Sequence, residues 1–228
     1  VSTRIGLDLD GVLADLDSAL AEIGRRLFGR DPDAARAAAQ EAGAADPLAG
    51  EPPPAEAALA RDQWRQVWDT VRKTVDFWET LPETEPGIVA RLAAVAAARR
   101  WEVIFLTQRP ASRGDTTQRQ SQRWLARQGF ELPAVFVLDD GLSRGKVAAA
   151  LGLDLVVDDR PENCLDVKTD STARAILIWR DAAALPPANA HSLGIEIVSS
   201  LAECLDTLEA AGPGRPGVVA RLKPLLKR

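Results

Sequence analysis

The sequence predicts an α/β fold, a parallel sheet covered by helices on both faces, with an all-helical insertion after the first strand. Three observations lead there. Short apolar runs alternate with helical segments from residue 103 onward, the pattern of strands buried on both faces. The first strand, residues 4–9, is followed by some ninety residues with helical spacing and no strand signal, too long for a simple crossover. Acidic residues close two of the apolar runs, Asp8 and Asp10 after the first and Asp158 and Asp159 after a later one.

In order, Ile5, Leu7 and Leu9 mark the first strand. Leu16, Leu20, Ile23 and Leu27 recur at helical spacing and predict a helix over 15–29. Ala-rich helical pieces follow, then a break at 52-PPP-54 and a long amphipathic helix over 55–78. After Pro86-Gly87 comes a helix over 88–99. The alternating part then reads strand 103–107, helix 115–128, strand 134–138, helix 145–151, strand 154–158, a short helix near 161–168 and strand 175–179. An edge strand at 195–198 and a helix over 199–210 complete it. The expected division is a core of residues 1–14 and 86–211, a helical cap of 15–85, and a basic, Gly/Pro-punctuated tail of 212–228.

Composition narrows the classes. With 46% hydrophobic and 27% charged residues the chain reads as an ordinary soluble domain. A net charge of −5 argues against a nucleic-acid backbone as partner. No apolar run approaches the roughly 20 residues that cross a membrane, and no signal peptide is visible. Cys164 and Cys204 are expected as free thiols of a reducing, cytoplasmic setting. His191 sits in a loop far from the acids, and Cys164 reads as helix packing.

Ligands of an open parallel sheet bind beyond the carboxyl ends of its strands. There the sequence places Asp8 and Asp10, Thr107 with Gln108 and Arg109, Lys146 at the start of the next helix but one, and Asp158, Asp159 and Arg160. Clustered carboxylates repel one another unless a cation lies among them. Hard oxygen donors suit Mg²⁺ together with substrate phosphate. Residues two apart on a strand share a face, so Asp8 and Asp10 can serve one ligand. Arg109 and Arg160 can face a phosphate or pair with a neighbouring acid. In the insertion, Phe28, Trp64, Trp68, Phe77 and Trp78 can stack on a substrate or form the cap's own core.

The stretches DLDGVLAD (8–15), FLTQR (105–109), SRGKV (143–147) and VVDDRPEN (156–163) resemble, in order and in strand context, the four motifs of the haloacid dehalogenase (HAD) superfamily. TQRP, WL, GF and DDRPENC further resemble its 5′(3′)-deoxyribonucleotidase branch and bacterial relatives of that branch. The resemblance covers roughly residues 4–180. It implies a Rossmannoid three-layer core with a type 1 cap, and a Mg²⁺-dependent phosphomonoesterase, 5′-nucleotidase-like, acting on a small phosphorylated substrate. Asp8 would be the nucleophile and Asp10 the acid and base, with Thr107 on a phosphoryl oxygen and Lys146 neutralising charge. Asp8, Asp10 (through its carbonyl) and Asp158 would hold the metal, Asp159 would support them, and Gln108, Arg109 and Arg160 would bind phosphate or substrate. A sugar phosphate is the competing substrate, and a non-catalytic binding protein the competing class. The sequence leaves the oligomeric state open.

Overall fold

A computed structural model describes residues 2–29, 55–139, 141–181, 185–187 and 190–211. The Ala-rich pieces before residue 52, the 52-PPP-54 break and the tail of 212–228 lie outside them.

Six parallel strands form one sheet: β1 (Arg4–Asp8), β2 (Glu102–Thr107), β3 (Ala134–Val137), β4 (Leu155–Asp158), β5 (Arg174–Ile178) and β6 (Ile195–Val198). Their order is β3-β2-β1-β4-β5-β6, which puts β6 at an edge as expected. The chain runs outward from β1 through β2 to β3, then returns to β4 on the other side of β1. That reversal opens a crevice at the carboxyl ends of β1 and β4.

The helices are α1 (Leu16–Phe28), α2 (Ala55–Lys73), α3 (Ile88–Arg99), α4 (Thr117–Arg127), α5 (Arg144–Leu151), α6 (Pro161–Asp170) and α7 (Leu201–Ala211). Alternation along the strands makes two apolar layers. Ile5, Leu7, Phe105, Val157 and Ile176 face one side and pack with residues of α3, α4 and α7. Leu106, Val156, Ala175 and Leu177 face the other, with Ala148, Cys164 and Val167 of α5 and α6. Sheet and flanking helices therefore form three layers. Both cysteines are free and buried, and Cys164 Sγ lies 3.7 Å from the Ile176 carbonyl, packing α6 on the sheet.

Two corrections to the predicted elements bear on the site. The helix expected over 55–78 ends at Lys73. Asp76 then adopts a left-handed backbone (φ 50°), its N–H donating to the Arg113 carbonyl, and a 3₁₀ turn, Phe77–Glu79, follows. Tertiary hydrogen bonds override the helical spacing there. The strand expected over 154–158 begins at Leu155, with Asp154 just before it bonded to the first residues of both neighbouring strands, its N–H to the Arg4 carbonyl and its carbonyl to Arg174 N–H.

The insertion's two ends are tied together. Asp15 N–H donates to Pro82 O at 2.9 Å and Thr84 N–H to Leu13 O at 2.9 Å. Asp15 also caps α1, accepting from Ser18 N–H. α1 and α2 lean on the same apolar layer as the core through Leu20, Ile23, Val67 and Val71.

Candidate active site

β1 delivers Asp8 at its last position, and the chain then turns sharply. Gly11 takes φ +76°, and Leu13 and Ala14 N–H groups both donate to the Leu9 carbonyl. A side chain at Gly11 would be strained and would overlap the Asp159 carboxylate. Glycine thus lets this turn close onto the acids after β4.

Asp8 and Asp158 are buried and Asp159 is partly so. One carboxylate oxygen from each lies within 4.8 Å of the others. Burial, and then the Asp158 charge, push the Asp8 carboxyl well above its ordinary range. Burial raises Asp158 too. Asp159 is pushed up to about 7 by burial and then by Asp158, and its Oδ1 is buried without a hydrogen-bond partner. Three crowded oxygen donors, one unsatisfied, fit a hard divalent cation such as Mg²⁺. Asp158 is further held by Asn163 Nδ2, 3.0 Å from both its oxygens, and by Arg160 N–H at 3.0 Å.

The cation among these acids is Arg144, which the sequence reading did not single out. Its side chain is 2% exposed, donates to Asp8 Oδ1, and pairs through Nε with Asp158 Oδ2 at 3.1 Å. Its remaining terminal nitrogen is buried and unpartnered. Lys146, expected in this place, is exposed. The physical reason is helix phase. Positions 144 and 148 share the buried side of α5, whereas 146 is turned about 200° from 144. Gly145 permits the fit, since a Cβ there would overlap the Asp166 carbonyl of α6. A buried helix face read from Arg144 to Ala148 and Leu151 was the available signal.

Asp10 does not join the metal-type cluster through its carboxylate. Arg109 holds it with a two-pronged pair, NH2 to Oδ1 at 2.7 Å and Nε to Oδ2 at 2.9 Å. Thr107 Oγ1 donates to Oδ2 at 3.3 Å. Arg109 is fully buried and thus pairs with an acid rather than lying at a surface.

Asp8, Asp10, Thr107, Arg144 and Asp159 open onto one cavity of about 590 Å³. Gln108 and the exposed Arg160 also line it, and α1 and α2 roof it with Leu20, Arg61, Trp64 and Trp68. Of the insertion's aromatics named above, Trp64 and Trp68 line the cavity, Phe77 and Trp78 are buried in the core, and Phe28 packs at its edge. His191 is exposed. Among the described residues, no helix is long and apolar enough to cross a membrane.

No protein-family model matches the chain, and no curated protein does. Solved structures do. An L-2-haloacid dehalogenase from Xanthobacter autotrophicus with chloropropionic acid covalently bound aligns at a TM-score of 0.50 and 14% identity, over 92% of this chain and 99% of that one. A hydrolase from Pseudomonas syringae aligns at 0.51 and 12%, over 92% and 99%. A HAD-hydrolase from Bacillus subtilis bound to magnesium aligns at 0.50 and 12%, over 91% and 99%. The first and third of these neighbours are by name a haloacid dehalogenase and a HAD-hydrolase, and the six-stranded parallel sheet with its flanking helices is the HAD-like, Rossmann-type α/β fold.

Proposed function

We propose that the protein is a Mg²⁺-dependent phosphomonoesterase that forms an aspartyl-phosphate on Asp8, with nucleoside monophosphates as substrates. One observation carries the reading. Two carboxylates of one turn, Asp8 and Asp10, face one cavity but are held by different arginines, Arg144 and Arg109. Separate environments suit separate roles.

Asp8 attacks phosphorus, forming an Asp8 O–P bond as the ester P–O bond breaks. Asp10 gives its proton to the departing oxygen. Asp10 then takes a proton from a water whose oxygen attacks phosphorus, the Asp8 O–P bond breaks, and inorganic phosphate leaves. Arg144 opposes the rise that burial imposes on Asp8 and brings positive charge to the cavity that receives the dianion, and Thr107 lines the same space. Mg²⁺ held by Asp8, Asp158 and Asp159 would supply the further positive charge that offsets the phosphate.

A leaving group that needs a proton favours an ester over a carbon–halogen bond, since halide departs without one. Trp64 and Trp68 offer indole faces for a base, and the cavity volume lies in the range that holds drug-sized ligands.

The test is a panel of nucleotides, sugar phosphates, an aryl phosphate and a 2-haloacid, assayed with Mg²⁺. Nucleoside monophosphates should turn over best, and Asp8→Asn should lower turnover by about a thousandfold or more while remaining folded. Preference for sugar phosphates overturns the substrate and keeps the chemistry; turnover of the haloacid alone overturns both.

A further inference from the structure

The Arg109 guanidinium is committed on every side that the structure records. Its Nε and NH2 grip both oxygens of Asp10, and NH1 donates to Ser121 Oγ at 2.9 Å. The Trp78 ring lies 4.8 Å from its central carbon. Trp78 is itself fixed, its backbone N–H donating to Gln120 Oε1 at 3.1 Å and its Nε1 to the Pro110 carbonyl at 3.0 Å. The arginine stands behind Asp10. It borders a neighbouring cavity of about 550 Å³ and not the one onto which Asp8 opens. A planar fork locked on three sides fixes both the position and the plane of the carboxylate it holds.

We propose that Arg109 is a positioning residue for the Asp10 carboxylate, aiming it at the leaving-group oxygen from behind without contacting the phosphate. The proposal rests on the phosphate-ester reading above. Its consequence is selective. A carboxylate that is present but misaimed penalises leaving groups that need a proton and spares those that depart without one.

Wild type, Arg109→Lys and Ser121→Ala are assayed with Mg²⁺ on aryl phosphates of similar size and rising leaving-group basicity. The slope of log kcat/KM against leaving-group pKa is then compared. Because kcat/KM stops at the aspartyl-phosphate, the later work of Asp10 on water does not enter. Arg109→Lys keeps the charge but loses the fork. It should hold p-nitrophenyl phosphate within about threefold and lose phenyl phosphate by about thirtyfold, a fraction of what general acid catalysis supplies. Ser121→Ala, which touches neither Asp10 nor the cavity, should tilt the slope the same way by about threefold, and it decides alone if Arg109→Lys does not fold. Parallel losses across the series, or a raised KM with an unchanged slope as expected of a phosphate ligand, overturn the positioning role. A wild type inactive on the whole series overturns the phosphate-ester reading and this proposal with it.

Discussion

Arg144 is enclosed by acids, and its removal would leave three crowded carboxylates without their cation. Losing one partner of a buried ion pair costs about 3–5 kcal/mol, because the remaining charges stay desolvated. Arg144→Met should therefore lower metal-free stability by that order and kcat/KM by about a hundredfold, while Lys146→Ala leaves both within about threefold. Denaturant unfolding and steady-state kinetics on the two variants check this, and the reverse ranking would return the role to Lys146. The same contrast shows what could be read in advance. Asp8, Thr107 and Asp158 were legible because a strand end is fixed by a period of two and an abrupt loss of apolar residues. Arg144 was not, because two basic residues stand two apart at a helix start and only the phase of α5 against the sheet chooses between them. Arg109 was legible as a site residue, but the groups that back it were not, since Ser121 and Trp78 reach it only through tertiary packing.

At the level of elements, α2 walls the cavity above Asp8 with Arg61, Trp64 and Trp68. Trp68 is partly exposed, lines the Asp8 cavity and also borders the cavity beside Arg109. Trp68→Ala should raise KM for a nucleotide by about tenfold, the worth of one stacking contact, and change KM for p-nitrophenyl phosphate less. Equal effects on both would assign Trp68 to the cap's packing alone. The helices and strands were nearly all legible from period and punctuation. The larger exception is the end of α2, where amphipathic spacing runs on past Lys73 while the backbone leaves it. No local pattern announces that Asp76 will bond across to Arg113 and Asp115.

For the whole molecule, the acids tie folding to pH. Asp159 holds its proton to about pH 7 when folded, against an ordinary value of 3.8. Between those limits the folded chain binds a proton that the unfolded chain has released, so metal-free stability falls as pH rises through the window, by up to about 1.4 kcal/mol per pH unit for each group titrating. Asp8 and Asp158, also raised, push the same way. Unfolding with a chelator present should show less stability near pH 7 than near pH 5, with a shallower slope in Asp159→Asn, and Mg²⁺ should restore stability most at the higher pH. A flat profile would remove these carboxylates from the balance. The sheet order has one further consequence, for the order of events in synthesis. β1 is made first yet lies between β2 and β4, so it leaves the ribosome without either partner and waits for residues 102–107 and 155–158. During that interval the apolar stretch from Ile5 to Leu13 is exposed in the nascent chain, and Asp8 and Asp10 are the charges that interrupt it. Charges inside an apolar run lower its tendency to aggregate, so the same two aspartates that suit a ligand also suit a strand that must wait for its partners.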